Sequence, residues 1–250
     1  DTLFGKTTDP IVLPSRAAKP LWSRAHNLMC HPGSGSCYRR LSRHVIWHRM
    51  SRDIRTWTRA CVICLKARRE RQAKDTANKF RVKSLTPWQL VAIDYCGPYG
   101  QVQGRPSCLV ATCAATNYVA TVTVPDQTAK SFIHAATLLF NANGYPSILT
   151  FDSDRTFLSA EALSFLSAVG IQALCLPGYA VRVAWWERSH QLLHSCVRAA
   201  LLDEPTPIKM QQLEAAISTA TLAANETPRP QTKISPNQMM KANGFHMQPI

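Results

Sequence analysis

Between residues 38 and 66 apolar side chains recur at helical spacing: Leu41, Val45 and Ile46, then Met50, Ile54 and Trp57. Past residue 85 the period shortens. Residues 88–96 form a short apolar run closed by Gly97-Pro98. Stretches 107–115 and 118–124 are rich in β-formers, with Thr116-Asn117 between them as a hairpin turn. The pattern then predicts a helix over 129–142, with Phe132, Ala136, Leu139 and Phe140 on one face, and a strand over 147–151. A helix over 160–169 ended by Gly170, a strand over 171–176, and long helices over 185–202 and 208–224 follow. Three successive strands, then helices alternating with two more, predict an α/β unit: a five-stranded mixed sheet covered by helices. No internal repeat interrupts this order.

Segment 71–86 is polar, basic and poor in apolar residues. It reads as a linker, which divides the chain into a small all-α unit with an N-terminal arm (1–70) and an α/β core (87–250). Charge follows the same division. Residues 1–84 carry 19 basic and 5 acidic side chains, whereas 85–250 carry 10 of each, so the whole net charge of +14 lies in the first third. Such an asymmetry points to a polyanionic partner. With 46% apolar and 8% aromatic residues the chain is neither a disordered tail nor a fibrous repeat. No run of eighteen apolar residues is present, so no membrane association is expected. The start carries no signal-like segment, and Asp1 in place of an initiator Met suggests a piece of a longer polyprotein. The nine cysteines are then expected to be reduced, most of them as small buried hydrophobes.

Two of those cysteines form the sole C-x-x-C pair, Cys61 and Cys64. Upstream, His26-x4-His31 supplies two imidazoles, and two nitrogens with two thiolates close a tetrahedral zinc shell. A basic unit of this size has little core, so metal ligation would contribute directly to its folding. A rival pair, His44-x3-His48, lies twelve residues before the same cysteines, in the middle of the expected helix beside Trp47. There a DNA-facing or solvated role competes with ligation.

The core has few acids, and three occupy telling positions. Asp94 interrupts the apolar strand VAIDYC, Asp152 follows the strand ILTF, and Glu187 opens a helix after Trp185-Trp186. An unpartnered carboxylate in an apolar strand is costly to bury. A hard cation such as Mg²⁺ or Mn²⁺ offsets the repulsion of clustered carboxylates, and two such ions support in-line phosphoryl transfer. Taken singly, each acid is equally well a strand-end or helix-start carboxylate.

The order His-His-Cys-Cys, then Asp94, then Asp152 and Glu187 35 positions later, resembles a retroelement integrase of the retroviral and long-terminal-repeat retrotransposon type. "WHRMSRDIRTWTRACVICLKARR" resembles the second half of its zinc domain, "PWQLVAIDYCGPYG" its first-Asp strand, and "FDSDRTF" its second-Asp turn. "WWERSHQLLH" resembles its Glu helix, and 225–244 the segment closing the core. The resemblance implies an RNase H-like core, with Asp94, Asp152 and Glu187 as catalytic ligands of two Mg²⁺ or Mn²⁺ ions. It also implies 3′-end processing and strand transfer of element DNA into target DNA, a dimer or tetramer with exchanged zinc domains, and action in the nucleus after release from a polyprotein. The sequence departs from the pattern at Ser153-Asp154, where the family has Asn-Gly, and at 183–186, where its loop ends in Gly. These departures suit two alternatives: a zinc-dependent DNA-binding protein with a weakened site, or a nuclease that cuts without joining.

For DNA contact, the arginines of the first unit (Arg39, Arg40, Arg43, Arg52 and Arg55 among them) offer guanidinium groups to phosphates. On the Glu187 helix His190, Gln191, His194 and Arg198 share one face, and Tyr179 and Arg182 in the preceding loop suit an unpaired DNA end. Trp47 and Trp57 read as core.

Overall fold

The protein is described from a computed structural model covering residues 9–67, 86–176, 186–202, 204, 206–229 and 232–242. Most of the basic segment assigned to a linker lies outside these residues, as do Tyr179 and Arg182.

The first unit is helical. Helix α1 (Ser15–Leu28) buries Ala18, Trp22 and His26, a stripe at four-residue spacing that the sequence reading did not pick out because Pro20 and a histidine interrupt it. Helix α2 (Ser34–Leu41), α3 (Met50–Ala60) and the short α4 (Val62–Ala67) complete the unit. The continuous helical spacing expected over 38–66 is broken at 42–49. There Val45–Ile46 (β2) pairs in parallel with Ile11–Val12 (β1), and Arg49 restarts the helix from a left-handed φ of 61°. Two adjacent apolar residues satisfy helix and strand equally well, so the sequence could not separate these cases. His44 and His48 therefore lie in turns and not in a helix. A small core of Trp22, Met29, Cys37, Leu41, Trp47, Met50 and Ile54 holds the unit, with Trp57 packed against it. Trp47 donates from its indole N–H to Asp53, as a core tryptophan needs.

The second unit follows the expected pattern closely. Strands β3 (Leu90–Cys96), β4 (Ser107–Cys113), β5 (Val119–Val124), β6 (Ile148–Phe151) and β7 (Gln172–Cys175) form one mixed sheet in the order β5-β4-β3-β6-β7. Helices α5 (Ala129–Asn143) and α6 (Ala160–Ala168) cover one face, their Phe132, Phe140 and Leu166 packing on Val91, Ile93 and Leu109. Helices α7 (Glu187–Leu201) and α8 (Met210–Glu226) cover the other, where Leu193, Val197, Leu213 and Ile217 meet Cys96, Cys108 and Val110. A short α9 (Pro236–Ala242), unforeseen in the sequence, adds Met240 to the first layer. Among the described residues no helix is long and apolar enough to cross a membrane.

Strand alternation decides what faces what. Val91, Ile93 and Tyr95 point to the α5–α6 layer, so Asp94, between Ala92 and Cys96, points to α7. The strand ends at Gly97, whose φ of +119° only glycine adopts freely, and a Cβ there would press on Tyr99 and Ser107.

The two units touch. Arg39 donates from Nε to the Pro228 carbonyl at 2.8 Å, and Arg43 reaches the Lys233 carbonyl and the Gln238 side chain. Cys30 joins the α7–α8 core, and α4 packs on α7. Hydrogen bonds from charged donors contribute about 1.5–3 kcal/mol each when shielded. At about 2–4 °C per kcal/mol for a chain of this size, replacing Arg39 and Arg43 together with methionine is therefore expected to lower Tm by at least about 6 °C. Calorimetry checks it, and an unchanged Tm with weakened DNA affinity would return both residues to the DNA surface.

Candidate functional site

The zinc-sized set is assembled. His26 sits on the buried stripe of α1, and after α1 ends Cys30 and His31 both adopt φ of 55°. Two successive left-handed residues are costly away from glycine. Here they fold the chain back so that the His31 ring meets that of His26 edge-on at 4.7 Å. Cys61 lies at the α3–α4 junction and Cys64 in the first turn of α4. The ligand atoms of all four lie within 4.8 Å of one another; His26 Nε2 is 3.2 Å from Cys64 Sγ and His31 Nδ1 is 3.4 Å from Cys61 Sγ. Tetrahedral zinc with Zn–S about 2.3 Å and Zn–N about 2.0–2.1 Å places nitrogen and sulfur about 3.6 Å apart, close to these separations. Burial, helped by the neighbouring His31, lowers the His26 pKa to about 4, which keeps its imidazole in the neutral, ligating form. Among the described residues this is the only group of three or more metal-ligating side chains that converges, and His44 and His48 are not in it.

The acids are arranged differently. β3 and β6 are adjacent and parallel, with Ala92 opposite Thr150, so Asp94 and Asp152 fall level at the same end of the sheet. Asp152 is held above the usual carboxylate range by burial first and then by the charge of Asp94, and its Oδ1 accepts from the Asp154 amide. A carboxylate raised by the charge of its neighbour in this way suits a hard cation shared between the two. Glu187 opens α7 at the helix N-terminus. Its carboxylate is exposed and accepts from Gln191, and it does not converge with the two aspartates as a ligand set in this structure. Asp154, the acid that replaces the family glycine, accepts from the Thr156 amide at 2.8 Å and so caps its own turn.

The helix face predicted for DNA divides. Gln191 and Arg198 are exposed, but His190 is buried at 8% exposure with Nδ1 3.4 Å from Asp94 Oδ2, and His194 stacks on Tyr99. The sequence could not show this, because Asp94 and Tyr99 lie more than ninety residues earlier in the chain. Of the arginines, Arg39 and Arg43 are taken up by the contact with the second unit, and Arg40 is half-buried. Arg52 and Arg55 are exposed and, with Arg49 and Arg59, line an open groove of ≈ 680 Å³ along α3 that Tyr38 and Trp47 also border.

Comparison with known proteins places this geometry. The integrase zinc binding domain family matches residues 13–70, the span holding all four zinc-sized ligands. The first unit thus matches an integrase zinc-binding domain, and the chain as a whole shares the fold of retroviral integrase chains. Over 228 residues it is 26% identical to the Pro-Pol polyprotein of feline foamy virus, a match covering 91% of this chain but only 19% of that polyprotein. The chain superposes on a chain of the simian T-cell lymphotropic virus intasome in complex with PP2A regulatory subunit B56 gamma, at TM-score 0.63 and 14% identity, over 92% of this chain and 75% of that one. Its core shares the fold of the HTLV-2 integrase catalytic core domain in complex with magnesium, at TM-score 0.52 and 19% identity, over 63% of this chain and 99% of that domain.

Proposed function

We propose that this integrase-type chain is a polynucleotidyl transferase that processes the 3′ ends of a retroelement's DNA and joins them to target DNA. The observation that carries the reading is the level placement of Asp94 and Asp152 on adjacent parallel strands, with Asp94 raising its neighbour. The zinc-binding domain and the integrase-type core fold support it. Asp94 and Asp152 would hold Mg²⁺ or Mn²⁺, joined by Glu187 from the first turn of α7. Two such ions supply a polarised nucleophile and charge for the leaving oxygen. The chain's own contribution is to fix the carboxylates on rigid strands and to bring DNA to them. Exposed Arg52, Arg55, Arg198 and Gln191 would follow phosphates, with Tyr179 and Arg182 at the DNA end. An assembly of several copies pairing two ends, acting on nuclear DNA, completes the reading.

The test uses the full chain with Mg²⁺ or Mn²⁺, labelled DNA duplexes and a plasmid target. End trimming and plasmid joining, both lost in Asp94→Asn, support the proposal. Cutting without joining would make the protein a nuclease. A second reading, a zinc-dependent DNA-binding protein without catalysis, draws on Glu187 standing apart from the two aspartates, and binding without any cutting would establish it.

Phosphate binding by the α3 groove has its own measure. Each neutralised phosphate contributes a slope of about −0.9 in log affinity against log salt on duplex DNA. Replacing Arg52, Arg55 and Arg59 with glutamine is expected to flatten that slope by roughly two to three. An unchanged slope in a salt titration would place the phosphate contacts elsewhere.

A further inference from the structure

Both oxygens of Asp94 have a protein partner. Oδ1 accepts from the amide of Tyr95 at 2.7 Å, and Oδ2 lies 3.4 Å from His190 Nδ1. His190 is one helical turn past Glu187, 8% exposed, and its second ring nitrogen, Nε2, is buried with no hydrogen-bond partner among the described residues. A neutral imidazole has a single N–H, and pairing with a carboxylate places that proton on Nδ1. A buried polar atom left unpaired is uncommon and calls for an explanation beyond packing. The helix carrying this ring is fixed on both sides of it. Trp186 caps α7 in a buried position, Leu193 and Val197 lie in the α7–α8 core, and His194 stacks on Tyr99.

We propose that His190 is a positioning residue for Asp94: its Nδ1–H holds the carboxylate in the orientation that faces Asp152, and so sets the affinity of the aspartate pair for a divalent cation. The inference rests on the reading of Asp94 and Asp152 as cation ligands. Partners that orient a ligating group are tuned nearly as finely as the ligands themselves, and removing one weakens metal binding by about 10- to 100-fold. His190 does this from inside the protein, so it does not contact phosphate; the exposed Gln191 and Arg198 are left for that role.

Asparagine and leucine separate positioning from packing. The Nδ2 of asparagine branches from Cγ just as the Nδ1 of histidine does, so His190→Asn keeps a donor in place, while His190→Leu fills the space without one. Mn²⁺ binding to the zinc-loaded full chain would be measured by calorimetry for wild type, Asp94→Asn, His190→Asn and His190→Leu, alongside thermal denaturation without added Mn²⁺. Zinc holds N/S sites far more strongly than Mn²⁺, so the zinc centre does not contribute to the signal. The expected result is Mn²⁺ binding that Asp94→Asn abolishes, His190→Asn keeps within about 3-fold, and His190→Leu weakens by about 10- to 100-fold. Equal affinity in wild type and His190→Leu, or equal loss in the leucine and asparagine variants, would overturn the positioning role. Wild-type binding that Asp94→Asn leaves intact, or none at all, would overturn the cation-site reading beneath it.

Discussion

Cys64→Ser is expected to unfold the first unit while leaving the α/β core folded. The small core of this unit is built around ring stacking that ends at the metal ligands: Trp22 stacks on His26 at 4.8 Å, and His26 lies against Cys64. Two left-handed residues, Cys30 and His31, must be held in place at a cost of about 1–3 kcal/mol each. Structural zinc in small domains contributes an apparent 10–16 kcal/mol of binding free energy, as much as the whole stability of a typical domain. Loss of one thiolate should therefore abolish zinc retention and remove the helical signal of 15–67. Far-ultraviolet circular dichroism with a zinc assay checks both, and chelation of the wild type should reproduce the variant. Cys175→Ser, at an exposed cysteine on β7, is the control and should change neither. Full helical content in zinc-free Cys64→Ser would mean that the trio of tryptophans suffices and that the metal is not structural.

Asp94→Asn is the second large effect, and it should act on chemistry and not on folding. Asparagine keeps the shape and can still accept from the Tyr95 amide, so Tm should move by no more than about 2–4 °C. Activity, in contrast, should fall by on the order of 10³-fold or more, since the charge that would bind cation is lost. Groups acting as one unit are not additive, so Asp94→Asn combined with Asp152→Asn should be little worse than either alone. The Asp152 carboxyl should also return toward its ordinary range, because the neighbouring charge that raises it is gone. A titration of Asp152 by NMR in both proteins reads this directly. Joining activity that survives in Asp94→Asn would remove this aspartate from the site.

The sheet was largely legible in the sequence, and for a physical reason. Its five strands are short apolar runs bounded by glycine, proline or asparagine, and their observed limits fall within two residues of those expected. The zinc ligands were legible because the chemistry fixes residue type and spacing together. What escaped lies where contacts between distant segments decide. Helix α1 hides behind Pro20 and a histidine on its buried stripe, and its periodicity becomes visible only once His26 is known to face inward. Arg39 and Arg43 look like phosphate ligands until Pro228, Lys233 and Gln238 are seen beside them. His190 and His194 look like a solvent-facing stripe until the sheet supplies Asp94 and Tyr99. In each case the residue meets a partner that the local sequence does not contain.

Neighbouring side chains Asp94 and Tyr95 leave β3 on opposite sides, the carboxylate toward α7 and the ring onto Phe157. A slip of this strand by a single position would thrust the charge among Phe132, Phe151 and Phe157 and turn the phenol toward His190. Burying an unpaired carboxylate among aromatic rings is prohibitively unfavourable. The acid that defines the site therefore also proofreads the pairing of the central strand, and a misaligned sheet would be rejected by the residue it misplaced.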